Sequence, residues 1–166
     1  MRNRTIWIAF IALTSARATG GSRRDASKKI VGQWYAAFNH KDAAVLDEIL
    51  DPSWMDIPSA PNQRAGPAGV KQLLLELTAI FPDFTIRMQD VLQDGNKVIV
   101  RSEISATQEK AFMGFPASRR KMTIQAVDIH EIRGGKIVRT WHTEDWMTGI
   151  RQLGVCKPPQ KTGEDQ

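Results

Sequence analysis

The stretch "DIHEIRGGKIVRTWHTEDW", residues 128–146, sets two histidines, four carboxylates and two tryptophans around Gly134-Gly135. Apolar and polar residues alternate on either side of the glycine pair, the period of half-buried strands. Gly-Gly supplies the positive φ angles of a two-residue hairpin turn, so the segment reads as the last hairpin of a sheet.

Working upstream, "KVIVRSEISA" and "FTIRMQDVLQ" are two more alternating runs, joined across Asp94-Gly95 as a second hairpin. The loop "TQEKAFMGFPASRR" separates the two hairpins. Before Phe84 the pattern changes to helical spacing. Val70, Leu73, Leu74, Leu77 and Ile80 share one face of a helix that Phe81-Pro82 ends. "AAVLDEIL" forms a shorter helix with Asp42 as its N-cap, and Ile30, Trp34, Ala37 and Phe38 mark a first helix over about 26–39. Between the second and third helices, "SWMDIPS" is short and extended. Downstream of the last hairpin, "WMTGIRQLG" is a closing helix or turn. Helices first and a strand meander afterwards define an α+β domain, with the helices over one face of a curved antiparallel sheet. A bent sheet under helices encloses a concave, mostly apolar pocket.

With 166 residues the chain is one domain, large enough to bury a core without disulfides or metals. The opening "MRNRTIWIAFIALTSARATGG" combines a basic start, an apolar run from Ile6 to Leu13 and an Ala16-Arg17-Ala18 cleavage pattern. This is the layout of a signal peptide over residues 1–18, too short in its apolar run to span a bilayer. A working leader implies export to the periplasm or the medium, with no membrane attachment after cleavage, and a leader that is not used leaves the chain in the cytoplasm. A linker over 19–25, the domain over 26–156 and a disordered polar tail over 157–166 follow. Of the 23 basic residues, Arg2, Arg4 and Arg17 lie in that leader, so residues 19–166 carry 20 basic against 18 acidic side chains. A net charge of +2, with no interleaving of basic and aromatic residues, argues against a nucleic-acid partner. The single cysteine, Cys156, has no internal disulfide partner and takes no role.

If Gly134 and Gly135 are the turn and the ladder is regular, His130 faces Arg139 and Asp128 faces Trp141. Ile124, Ala126, Asp128, His130, Arg139, Trp141, Thr143 and Asp145 then share one face. The other carries Gln125, Val127, Ile129, Glu131, Val138, Thr140, His142 and Glu144. A carboxylate in a partly apolar pocket is raised toward neutrality and can take and return a proton. Asp145 is the first candidate for that base, with Asp128 or His130 to orient it, bind a carbonyl or act as the acid. The opposite reading is equally concrete: Val127, Ile129 and Val138 resemble a core face, which would leave Asp128, His130 and Arg139 as a solvated ion cluster. One bulge exchanges the two faces.

The same residues carry a resemblance. Asp128, Ile129, His130, Gly135, Lys136, Ile137, Val138, Trp141, Asp145, Gln152, Leu153 and Gly154 resemble the closing motif of the SnoaL-like polyketide cyclases and ester cyclases of the NTF2-like superfamily. "AFMGFPASRRKM" is similar to the family's Phe-x-Gly-x-Pro segment, and "VGQWYAAFNHKDAAVLDEIL" to its opening helix. The resemblance implies a cone-shaped α+β barrel, a homo-oligomer (dimer or tetramer), an apolar or polyketide-like ligand, and no metal or organic cofactor. It also implies that Asp145 is the acid/base, with His130 on the neighbouring strand. Two positions depart from the family: Gln108 follows Thr107 where many members have His, and Arg119 stands where Gly is usual.

Trp34, Phe38, Trp54, Phe112 and Trp141 are candidate pocket residues, although Trp34, Tyr35 and Phe38 at helical spacing equally suit a plain core. Arg101 could bind an anionic group in the pocket, a sheet-surface ion pair being the simpler reading. Asp56 is a further candidate that fits the surface as well. His40, His130 and His142 show no metal-ligand spacing, and no nucleophile elbow, phosphate loop or dinucleotide fingerprint is present. Two functions therefore compete: a cofactor-independent cyclase, isomerase or lyase, and a non-catalytic module that binds a small molecule or dimerises. An aspartate-activated hydrolase is a third.

Overall fold

A computed structural model describes residues 15–154 of the chain. Helix α1 (Ser15–His40), α2 (Ala44–Ile49), strand β1 (Leu50–Ile57) and α3 (Pro67–Ile80) precede β2 (Thr85–Asp94), β3 (Lys97–Thr107), β4 (Lys121–Arg133), β5 (Lys136–Glu144) and the short α4 (Trp146–Gln152). The apolar run Ile6 to Leu13, the polar tail and Cys156 lie outside the described residues. The stretch 19–25, expected as a linker, is instead part of α1. It contains no proline to stop the helix that the Trp34 stripe anchors, and Arg23 and Arg24 suit a helix, although Gly20 and Gly21 do not.

Val31, Trp34, Tyr35 and Phe38 of α1 are buried against the sheet. Lys41 ends the helix in the left-handed region (φ 59°), with Asp42 N–H bonded to Ala37 O and Lys41 N–H to Phe38 O. This is the double closure that satisfies terminal carbonyls. Asp42 accepts from Ala44 N at 3.0 Å at the start of α2.

The sheet order is β1-β5-β4-β3-β2. Four strands form the antiparallel meander; β1 adds to β5 in parallel, so the sheet is mixed at that edge. Gly134 and Gly135 (φ 56° and 78°) make the β4-β5 turn that the sequence marks. Along β3, Val98, Val100, Ser102, Ile104 and Ala106 face inward, and along β4 Met122, Ile124, Ala126, Asp128 and His130 do. The core lies between this face and α1, with Leu46, Leu50, Val70 and Phe81 closing it.

Candidate active site

A bulge decides which side chains reach the interior. Ile132 pairs with Ile137 but Glu131 pairs with Arg139, so Val138 is an extra residue in β5. Beyond it the alternation of β5 is inverted relative to a regular hairpin. His130 lies opposite Thr140 and Asp128 opposite His142. Thr140, His142 and Glu144 join Asp128 and His130 on the inner wall, while Arg139, Trp141 and Thr143 turn outward.

The expected positions change accordingly. Asp145 is not in the wall: it caps α4, accepting from Thr148 N at 3.0 Å, and its side chain is exposed. Those bonds hold its carboxyl below the usual carboxylate range. Its backbone is fixed by Asp145 N–H to Gln125 O, and α4 is drawn onto β4 by Gln152, which bonds both backbone groups of Thr123. Trp141 lies on the outer face, with Lys97 Nζ 4.9 Å and the Arg139 guanidinium 5.3 Å from its ring centre. Arg101 is also outside, paired with Asp90 at 2.6 Å. Trp54 is buried but stands behind the cavity wall. Trp34, Phe38 and Phe112 do line the cavity, and so does Asp56.

The cavity, about 240 Å³, is walled largely by apolar side chains, among them Trp34, Phe38, Val70, Leu77, Phe84 and Trp146. Its polar lining consists of Asp56, Ser102, Asp128, Thr140, His142 and Glu144. Behind them runs a buried chain of hydrogen bonds. Trp54 Nε1 donates to Thr140 Oγ1 (3.1 Å), which is 3.1 Å from His130 Nδ1. His130 Nε2 is 3.2 Å from the Tyr35 hydroxyl, which donates to Asp128 Oδ2 at 2.5 Å.

The Tyr35 hydroxyl gives its one proton to Asp128, so it can only accept from His130 Nε2–H, and a neutral ring then accepts at Nδ1 from Thr140. Thr140 accepts from Trp54 and donates to Nδ1; Nε2–H donates to the Tyr35 oxygen; the Tyr35 hydroxyl donates to the carboxylate. That direction requires a neutral imidazole. Burial, reinforced by the His142 cation, lowers His130 to about 3.

Asp128 is pushed up to about 6, first by burial, while the Tyr35 bond and the His142 cation pull it back and Glu144 and Asp56 push it further up. Burial and the neighbouring carboxylate raise the Tyr35 hydroxyl beyond its ordinary range, so Tyr35 stays a donor. No donor reaches Asp128 Oδ1 among the described residues, which leaves that oxygen free to take a proton.

A second cluster sits beside Asp128, on the neighbouring strand of the wall. His142 Nδ1 lies 2.9 Å from Glu144, and its Nε2 lies 3.2 Å from Asp56 and 2.9 Å from Pro58 O. The bonds to Asp56 and Glu144 raise His142 to about 10, so it is an imidazolium at neutral pH. Gln63 Nε2 holds the second oxygen of Asp56 at 2.8 Å. This cluster joins β5, β1 and the loop after β1, and it sets the field around Asp128.

The two family departures also find places. Gln108 is fully buried and donates to Lys110 O (3.0 Å) and Pro116 O (3.1 Å), while its Oε1 accepts from Ser118 N (3.2 Å). It thereby ties down the loop that carries Phe112 over the cavity. Arg119 adopts φ 55°, a conformation that favours glycine. Thr140, His142 and Glu144 fall on the wrong face if the hairpin is regular, and the residues around Val138 carry no glycine to mark the bulge. Among the described residues no group of three His, Cys, Asp or Glu is placed to hold a metal ion.

A family model described as SnoaL-like polyketide cyclase matches residues 28–153. Among solved structures, TsrD from Streptomyces laurentii superposes with a TM-score of 0.74 at 26% identity, over 80% of this chain and 98% of that one. IdmH from Streptomyces antibioticus, itself a proposed polyketide cyclase, gives 0.69 at 27% identity, over 78% and 99%. A SnoaL-like polyketide cyclase from Agrobacterium tumefaciens shares the fold, with a TM-score of 0.66 at 22% identity over 77% and 98%. No curated protein matches the chain.

Proposed function

The chain belongs to the SnoaL-like polyketide cyclase family, and from that premise we propose that it is a cofactor-independent acid/base enzyme for an apolar small molecule, with Asp128 as the proton-transfer group. The observation that carries the reading is the Asp128 carboxyl, raised to about 6, on the wall of a largely apolar cavity with one oxygen free, while the other two carboxyls of the lining, Asp56 and Glu144, are bound to His142. Such a group is mostly ionised at pH 7 yet basic enough to take a proton from a carbon beside a carbonyl. In that step Asp128 Oδ1 forms the O–H bond as the C–H bond breaks, and the electron pair moves onto the carbonyl oxygen as an enolate. The protonated Asp128 then returns the proton to carbon, in an isomerisation, or to the oxygen formed when the enolate attacks a second carbonyl, in a cyclisation. Tyr35 and His130 act as positioning residues that hold the carboxylate. Asp145 has no part in this scheme.

The test needs no natural substrate. β-Tetralone, a bicyclic enolisable ketone, is incubated with the protein in D2O and α-proton loss is followed by NMR. The expected result is catalysed exchange that D128N lowers by about 100-fold or more. Exchange at the same rate in D128N rejects Asp128 as the base. The competing function, a binding module without chemistry, is what the family fold would support if the ketone binds and no exchange occurs.

The proposal includes export, supported by the basic start and apolar run of residues 1–18. Amino-terminal sequencing of the secreted protein is expected to begin at Thr19; an uncleaved protein retained in the cytoplasm would reject it.

A further inference from the structure

We infer that Ser102 is the cavity's hydrogen-bond donor to a ligand oxygen, placed beside the carbon on which Asp128 acts. The inference rests on the proposed function and names a second contact of the same site. Ser102 lies on the inner face of β3, is fully buried and lines the cavity. Its hydroxyl oxygen is closed to solvent and has no hydrogen-bond partner. Every other polar side chain of the lining has at least one partner: Asp128 has Tyr35 on one oxygen, Thr140 has Trp54 and His130, and His142 has Asp56 and Glu144. An unmet buried hydroxyl is a cost that alanine, which fits the same space, would not incur.

Strand register puts the two groups side by side. Val100 pairs with Asp128 and Ser102 with Ala126, so Ser102 is the diagonal cross-strand neighbour of Asp128, about 7–8 Å away. Ala126, directly opposite Ser102, adds only a methyl to the wall there. A planar carbonyl compound seated on this floor can present its α-carbon to Asp128 and its oxygen to Ser102. When Asp128 takes the proton, negative charge grows on that oxygen, and a preplaced donor stabilises it more than it stabilises the ground state. The ligand class is therefore an apolar ketone whose carbonyl is adjacent to the reacting carbon, rather than a hydrocarbon of the same shape.

The full chain is titrated with β-tetralone and with tetralin, its carbonyl-free counterpart, and binding is read from quenching of tryptophan fluorescence, since Trp34 and Trp146 line the cavity. Wild type is expected to prefer the ketone by about tenfold, the value of one well-made hydrogen bond. S102A is expected to bind tetralin as wild type does, to lose the preference, and to exchange the α-proton about tenfold more slowly; S102T, which restores a hydroxyl, recovers part of both. A thermal midpoint for S102A at or above wild type shows that the fold is intact. Equal binding of the two probes by wild type, absence of binding by either, or a preference that survives in S102A overturns the inference. Exchange that D128N abolishes and S102A leaves untouched rejects Ser102 and keeps Asp128. A ketone preference lost in S102A, with exchange indifferent to D128N, keeps Ser102 and rejects Asp128.

Discussion

The Tyr35 hydroxyl donates to Asp128 Oδ2 across 2.5 Å, linking α1 to β4 over 93 residues of sequence. This bond keeps a buried carboxylate tolerable, and it couples the helix layer to the proton-transfer group. Two opposed influences meet at Asp128: burial favours the neutral acid and Tyr35 favours the anion.

The first consequence concerns stability. The folded-state midpoint of Asp128 is about 6 against 3.8 for an unperturbed aspartate, so between those values the folded protein retains a proton that the unfolded chain releases. Stability therefore falls as pH rises through that window and stays lower above it, by about 3 kcal/mol. D128N keeps an acceptor for Tyr35 and removes the charge. It is expected to be more stable than wild type at pH 7–8 and no more stable near pH 4, as read from urea midpoints at the two pH values. A wild-type advantage at pH 7 would show that Asp128 is stabilising as an anion.

Y35F takes away the interaction that lowers Asp128. The midpoint of Asp128 is expected to move above about 6, and the alkaline-rising limb of the exchange rate moves with it. A purely structural role for Tyr35 would lower the rate or the stability without displacing the pH profile. The loss of partners for Asp128 and His130 is expected to cost about 1–3 kcal/mol in denaturant titration.

His142 has a folded-state midpoint of about 10, raised from 6.5 by Asp56 and then Glu144. For a base raised in this way, the contribution to stability is complete below about 6.5 and is lost as pH climbs through about 10. H142Q leaves Asp56 and Glu144 without their shared cation. It is expected to lose about 2 kcal/mol at pH 7, less than a fully buried pair would lose because the side chains are partly exposed. It should also lack the extra decline that wild type shows between pH 7 and pH 10, so a decline as steep in H142Q would contradict the assignment.

Asp145 separates the motif from the chemistry. Because it is an exposed helix cap, D145N should exchange β-tetralone at the wild-type rate, asparagine being an equivalent cap. D145A should cost about 1 kcal/mol of stability and still leave the exchange rate unchanged. A large fall in rate for D145N would return Asp145 to the catalytic group.

The architecture was legible from local chemistry. The two-residue period of β2 to β5, the Gly134-Gly135 turn and the helical spacing of Val70 to Ile80 each depend on neighbours within a few residues, and each element formed where that spacing placed it. The bulge at Val138 did not show in the sequence, because an unpaired residue is selected by how two whole strands pack and not by its own side chain. That one residue moved Thr140, His142 and Glu144 inward and Trp141 outward, while α4, drawn onto β4, left Asp145 capping a helix. The sequence by itself determined an α+β fold, a closing hairpin and the presence of Asp128 and His130 on a common face. Only the tertiary structure decided that this face is the inner one, and that Tyr35 rather than a strand residue holds Asp128. Hydrogen bonds such as Tyr35 to Asp128 join residues far apart in the chain, and no local period records them.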